Sequence, residues 1–160
     1  MRTSPGSSQN STNACSVRLI DWQRDSRALR DIREAVFIRE QNVPAELEWD
    51  EFDVQCLHFL AFNPEGNPVG TARLLLNGTA GTLGRMAVLK EWRVRGVGSA
   101  LVHGLLGEAK KRGISELALH AQTHAADFYE RFGFRIEGKQ FMEAGIPHVK
   151  MILHLQASVC

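Results

Sequence analysis

The chain has 160 residues, 44% of them hydrophobic and 23% charged, which fits one soluble globular domain. Its formal net charge of +1 gives no general attraction to nucleic acid or to an anionic membrane surface. Without an apolar stretch of membrane-span or signal-peptide length, and with three cysteines that form no CxxC pair, the sequence predicts a cytoplasmic protein.

The first half of the chain predicts one helix and four strands. Residues 1–14 are small and polar and are expected to form a disordered tail, which leaves 15–160 as the domain. A strand over 16–21 precedes a helix over 26–41, whose apolar residues share one face and which ends before Pro44. Three further strands follow, at 56–62, 68–76 and 81–89.

The second half adds two helices and three strands. A helix over 97–112 carries an apolar stripe and ends at Gly113. The remaining elements are a strand at 115–121, a short helix at 124–132, and strands at 134–141 and 148–155. Alternating elements of both kinds predict a mixed α/β (α+β) fold with one sheet and no internal linker.

The stretch Arg93-Val94-Arg95-Gly96-Val97-Gly98 stands where a strand passes into a helix. Amides of a first helical turn lack intrahelical partners, and glycines let a ligand approach the main chain, so the stretch suits a phosphate-bearing ligand. Leu101 breaks the dinucleotide-binding fingerprint, and the Gly-Lys-Ser/Thr of a P-loop is missing. The alternative is a glycine-rich turn that only caps an amphipathic helix.

Two longer segments carry a family resemblance. "GRMAVLKEWRVRGVGSALVHGLLGEAKKRG" resembles the acetyl-CoA-binding core of the GNAT superfamily of N-acetyltransferases, whose motif Arg/Gln-x-x-Gly-x-Gly/Ala reads here Arg93-x-x-Gly96-x-Gly98. "AADFYERFGFRIEG" resembles the family's element beside the CoA thiol. The resemblance implies a mostly antiparallel sheet flanked by helices, with two parallel strands that splay apart.

Two shorter segments narrow the resemblance to one branch. "EAVFIREQNVPAELEWDEFDVQCLHFLA" and "FMEAGIPHVKM" resemble the ElaA/YjcF-like proteins, which share "VF..EQ" with acyl-homoserine-lactone synthases.

The resemblance also implies the residues that bind acetyl-CoA. The main chain of residues 86–88 would pair with the pantetheine arm as an extra strand does. The loop and its two arginines would hold the pyrophosphate, and an aromatic pair would lie beside the thiol. The implied residues are Met86, Ala87 and Val88 for the arm; Arg93, Val94, Arg95, Gly96, Val97, Gly98 and Ser99 for the pyrophosphate; and Phe128 and Tyr129 for the thiol.

The resemblance implies direct attack of an amine on the thioester, with three jobs for the protein. A main-chain amide at or near Val88 would polarise the carbonyl. Tyr129 would protonate the leaving thiolate, unless it is only a core tyrosine. The base is open, because Thr82 stands where histone-type relatives have a glutamate.

Several residues are candidates for the base, each with a structural alternative. Glu40 ends the first helix, and Glu143 and His148 lie on the last hairpin. The acidic run "AELEWDEFD" either lines the acceptor cleft, where it would attract a cationic amine, or is a solvated loop. A metal site is not expected, because His120 and His124 lack a third ligand at a suitable spacing.

These residues predict an acetyl-CoA-dependent N-acetyltransferase that acts on a small molecule or peptide amine in a ternary complex. The alternatives are a non-catalytic acyl-CoA sensor or scaffold and an acyltransferase like the lactone synthases. The expected partners are acetyl-CoA and an amine acceptor, with no nucleic acid and no membrane. The β-rich C-terminus is compatible with a homodimer.

Overall fold

A seven-stranded sheet forms the centre of the computed structural model, which describes residues 15–49 and 51–155, apart from the Glu51 side chain. The spatial order is β1-β2-β3-β4-β5-β7-β6, and within the described residues only β4 and β5 pair in parallel. The strands are β1 Ser16–Ile20, β2 Leu57–Phe62, β3 Pro68–Asn77, β4 Ala80–Val88, β5 Glu116–Gln122, β6 Arg135–Glu143 and β7 Ile146–His154. The predicted mixed, mostly antiparallel fold is therefore confirmed. The predicted tail over 1–14 lies outside the described residues.

Helices cover both faces of this sheet. They are α1 Trp22–Arg33, a π-helical segment Glu34–Glu40, α2 Ala45–Glu48, α3 Val97–Lys111 and α4 Ala126–Glu130, with 3-10 turns at Glu51–Gln55, Lys90–Trp92 and Thr123–Ala125. The apolar stripe of α3 packs on one face, and Leu29 and Ile32 of α1 pack on the other against Leu60 and Ala87. In the part of the chain that the structure describes, no helix is long and apolar enough to cross a membrane.

The first helix differs from its predicted span of 26–41. It begins at Trp22, because the Asp21 side chain accepts a hydrogen bond from the Gln23 amide at 2.8 Å and caps the helix. From Glu34 the turn widens to a π-helix, and the Gln41 amide donates to the Val36 carbonyl five residues back, at 3.0 Å.

Segment 45–55, in which no element was predicted, folds as α2 and a 3-10 turn because buried ion pairs hold it against the sheet. Arg33, only 1% exposed, donates to the Glu48 carboxylate at 2.5 Å and to Asp53 at 2.8 Å. Arg73 reaches the same Asp53 oxygen at 2.8 Å, and Arg85 lies 3.4 Å from Glu48. Multiple guanidinium contacts let two buried carboxylates remain in the core.

Neither alternative for the acidic run, an amine-attracting wall or a solvated loop, describes Glu48 and Asp53, which are buried against arginines. Burial raises the pKa of Glu48 above its usual value, although Arg33 and Arg85 act in the opposite direction. Burial acts to raise the pKa of Asp53 too, but Arg33 and Arg73 together hold it below its usual value. Both carboxylates are committed to arginines, so neither is available to a substrate. Asp50 lies outside the described residues.

Candidate active site

A gap opens between β4 and β5, the two parallel strands. Their pairing runs from Ala80–Glu116 to Leu83–Leu119, yet β4 continues to Val88 and β5 to Gln122. The strands part where β4 bulges against β3, and Arg85 adopts a left-handed φ of 50° within that bulge.

The end of β4 presents backbone groups to this gap. The Leu89 amide donates to the Val69 carbonyl of β3 at 2.9 Å, and successive residues of a strand point their amides to opposite sides. Met86 and Val88 thus direct their amides and carbonyls toward the gap, whereas Ala87 directs its own toward β3. The sequence interpretation did not separate these three residues, because the alternation depends on the register with β3.

Beyond β4, six consecutive amides form a cradle at the start of α3. The Arg93 amide donates to the Lys90 carbonyl and the Ala100 amide to the Gly96 carbonyl. Between them, none of the amides of residues 94–99 donates a hydrogen bond to any described residue. Val94 and Gly96 have φ values of 55° and 85°, which turn successive amides toward one side. Such a nest at a helix N-terminus binds anions.

Helix α4 packs its aromatic residues against this cradle. A Cβ on Gly98 would lie 3.3 Å from Phe128 Cζ, so the glycine allows the close approach of the ring. Phe128 meets Tyr129 edge to face at 5.0 Å. Tyr129 is 6% exposed, its hydroxyl has no hydrogen-bond partner among the described residues, and burial raises its pKa well above the usual value.

The predicted pyrophosphate ligand Arg93 and the predicted base Glu40 lie against each other. Two guanidinium nitrogens of Arg93 donate to the two Glu40 oxygens at 2.5 and 2.6 Å, and its Nε donates to the Val88 carbonyl at 2.9 Å. The hydrogen bond from Arg93 lowers the pKa of Glu40. Arg95 instead stacks over the Trp92 ring at 4.9 Å.

The last hairpin brings together Glu143 and His148, the two remaining candidates for the base. His148 is opposite Gln122, the last residue of β5, and its Nδ1 lies 2.7 Å from the Ile146 carbonyl. A carbonyl only accepts, so the neutral ring carries its proton on Nδ1 and leaves Nε2 as the basic nitrogen. This Nε2 lies 3.8 Å from Glu143, whose other oxygen lies 2.9 Å from His120 Nδ1.

His120 was weighed from the sequence only as a metal ligand, and its contact with Glu143 was missed. The contact depends on the antiparallel arrangement of β5, β7 and β6, which no local pattern reveals. Thr82 is exposed and lies opposite Ala118 in the paired part of the two strands, below the gap.

Comparisons with known proteins identify the family that shares this fold. A family model described as an acetyltransferase (GNAT) domain matches residues 25–155. The uncharacterized N-acetyltransferase YjcF of Bacillus subtilis is 42% identical over 122 residues, which cover 76% of this chain and 86% of YjcF. The crystal structure of Escherichia coli ElaA has a TM-score of 0.79 at 26% identity, covering 88% of this chain and all of ElaA. A Bacillus subtilis acetyltransferase solved in complex with CoA shares the fold, with a TM-score of 0.68 at 20% identity over 89% of this chain and all of its own.

Parallel strands that diverge beside a helix N-terminus with free amides define an acyltransferase of the GNAT type. The chain belongs to the GNAT acetyltransferase family, and the resemblance to its ElaA/YjcF-like branch is confirmed.

Proposed function

We propose that the protein is an acetyl-CoA-dependent N-acetyltransferase that acetylates the amine of a small molecule or peptide by direct attack in a ternary complex. The observation that carries the proposal is the run of six unpaired amides at residues 94–99, directly beyond the open side of β4. A pyrophosphate can accept hydrogen bonds from such a run, and the dipole of α3 favours its charge.

The pantetheine arm then lies along the open edge of β4. Met86 offers an amide and a carbonyl, and Val88 offers its amide, because Arg93 already occupies the Val88 carbonyl. Paired in this way, the arm adds to the edge as a short strand does. Because the thioester is the end of the arm farthest from the pyrophosphate, the Met86 amide, which is farther from the cradle than that of Val88, is the donor that polarises the thioester carbonyl. The CoA-bound relative supports the cofactor class through its shared fold.

His148 is the base that the geometry favours. Its Nε2 is unprotonated in the neutral ring, and His148 is opposite Gln122, the last residue of β5, which is one of the two strands that border the gap. Glu143 stands 3.8 Å away, where it stabilises the imidazolium that forms. Glu40 is less suited, because both its oxygens are held by Arg93.

The proposed reaction needs no reactant other than acetyl-CoA and the amine. The amine nitrogen attacks the thioester carbon and its proton passes to His148 Nε2. The C–S bond then breaks, and the CoA thiolate takes a proton from the Tyr129 hydroxyl. Because burial raises the pKa of Tyr129, the phenolate regains its proton readily from solvent or from His148.

A panel of polyamines, amino acids, amino sugars and peptides tests the proposal. Acetyl-CoA-dependent release of free thiol, together with a product one acetyl group heavier than the amine, is the expected result. Binding of acetyl-CoA without turnover of any amine would instead support a non-catalytic acyl-CoA sensor. A lactone as product would support the activity of the lactone synthases.

His148→Gln is expected to lower kcat/KM about a hundredfold, the lower end of what a general base contributes, because water can accept the proton when the base is lost. Binding of acetyl-CoA should not change, because His148 is expected to act on the amine and not on the cofactor. The measurements are steady-state kinetics with the best amine of the panel and titration with acetyl-CoA. His154→Gln removes an exposed histidine from the same strand and should leave kcat/KM as in the wild type. An unchanged kcat/KM in His148→Gln rules out this base.

A further inference from the structure

Glu40 and Gln41, two consecutive residues, are bonded to the far ends of the two diverging strands. Through Arg93, Glu40 holds the carbonyl of Val88, the last residue of β4. Gln41 Oε1 accepts a hydrogen bond at 2.9 Å from Nε2 of Gln122, the last residue of β5. These bonds join positions 53 and 81 residues apart in the chain.

The two strands do not pair with each other at these ends. Their mutual pairing stops at Leu83 and Leu119, so β4 continues for five residues and β5 for three without a ladder hydrogen bond to the other strand. Among the described hydrogen bonds and ion pairs, those of Glu40 and Gln41 link the two strand ends across the gap.

The local backbone explains how adjacent residues serve both strands. The π-helical segment keeps Val36 buried while the chain leaves it at Gln41, whose amide bonds to the Val36 carbonyl. The Val43 amide returns to the Phe37 carbonyl at 2.8 Å and fixes the exit from this turn. Single π-turns within helices recur at functional sites, and this one ends at the gap.

We propose that Glu40 and Gln41 form a tie that presets the width of the gap between β4 and β5 for the pantetheine arm. In this account Glu40, Gln41, Arg93 and Gln122 are positioning residues, and the "VF..EQ" segment exists to place the tie. A gap that is already open to the required width loses less freedom when the arm binds, so the tie strengthens binding without touching the ligand. The proposal rests on the proposed function, because it concerns the acetyl-CoA site.

The tie and the alternative role of Arg93 predict opposite effects of one substitution on the affinity for acetyl-CoA. If Arg93 were a direct pyrophosphate ligand restrained by Glu40, then Glu40→Leu would free the guanidinium and tighten binding of acetyl-CoA. If Glu40 belongs to the tie, the same substitution weakens binding, on the order of tenfold. Arg93→Met weakens binding in both cases, so the sign of Glu40→Leu decides.

The experiment is calorimetric titration of the full chain with acetyl-CoA and with S-acetyl-pantetheine, which lacks the pyrophosphate. Glu40→Leu, Gln41→Leu and Gln122→Leu should each weaken binding of both ligands. The double variant Glu40→Leu/Arg93→Met should bind no more weakly than Arg93→Met alone, because both changes break the same link from Glu40 through Arg93 to Val88. Glu108→Leu removes the exposed ion pair with Arg112 at the far end of α3 and should bind as the wild type does.

Tighter binding in Glu40→Leu, or unchanged binding of S-acetyl-pantetheine in all three single variants, overturns the tie. Hydrogen exchange of the ligand-free chain separates this failure from a failure of the proposed function. Faster exchange of the amides of residues 85–89 in Glu40→Leu, with none in Glu108→Leu, supports the tie even if the wild type ignores acetyl-CoA. Unaltered exchange there counts against it.

Discussion

Arg33→Ala is expected to lower the free energy of unfolding by about 3–5 kcal/mol, the usual cost of breaking a buried ion pair from one side. The guanidinium contacts Glu48 and Asp53, and it also donates to the Glu48 carbonyl at 2.9 Å. Its removal leaves two buried carboxylates without their main partner. Urea denaturation at neutral pH measures the loss. Arg27→Ala removes an exposed arginine of the same helix and should change the value by less than about 0.5 kcal/mol.

The pH dependence of this loss has a definite sign. In the wild type the pKa of Asp53 lies below its usual value, so its stabilisation is present above the unfolded pKa and is lost as the pH falls. Without Arg33, burial dominates and raises the carboxylate pKa values, so acidification relieves the penalty by protonating the carboxylates. The difference in stability between wild type and Arg33→Ala should therefore shrink from neutral pH toward pH ~4. A difference that does not depend on pH would assign the loss to packing.

Tyr129→Phe is expected to lower kcat on the order of a hundredfold, the lower range for a lost general acid. The phenyl ring keeps the contacts with Phe128 and with Phe134, whose centroid lies 6.0 Å away. The hydroxyl has no partner among the described residues, so its removal should hardly change stability. Steady-state kinetics with the best amine measures kcat, and thermal melting measures the stability.

One further substitution separates the acid role of Tyr129 from a packing role. Phe132→Leu changes a ring that also packs on Phe128. It should lower the melting temperature and leave kcat near the wild-type value. Tyr129→Phe with wild-type kcat would show that Tyr129 only fills the core. Because the pKa of Tyr129 is raised, wild-type kcat should show no alkaline loss from this group within the usual range of tyrosine.

The sequence allows accurate prediction where one local rule dominates. The helix that carries Leu101 and Leu105 was predicted over 97–112 and runs over Val97–Lys111, because its apolar stripe, its glycine-rich entry and Gly113 all agree. A phosphate cradle was inferred from the glycines and the helix start, and the family resemblance implied the amides of residues 94–99, which the structure leaves without backbone partners. That these amides bind the pyrophosphate of acetyl-CoA is a proposal.

The sequence fails to predict where the outcome depends on distant partners. By sequence, the acids of segment 45–55 suit either an amine-attracting cleft wall or a solvated loop. In the structure, Glu48 and Asp53 are instead paired with Arg33 of α1, Arg73 of β3 and Arg85 of β4. Arg93 looks like a phosphate ligand from its neighbours in the chain, but Glu40, 53 residues away, holds it. Charge partners of this kind follow from strand order, which residue spacing does not determine.

The measurement that tests the account most directly is calorimetric titration of the wild type and of Gly98→Leu with acetyl-CoA. The wild type is expected to bind in the micromolar range or tighter, on the order of 8 kcal/mol. The leucine would press on Phe128 and force the start of α3 to shift, which misaligns the amides of the cradle, so binding should weaken at least about tenfold. Gly107→Leu, on the same helix with open space at its Cβ, should bind as the wild type does. A wild type that binds neither acetyl-CoA nor CoA would contradict both the cradle and the proposed reaction, and a Gly98→Leu that binds equally well would contradict the cradle.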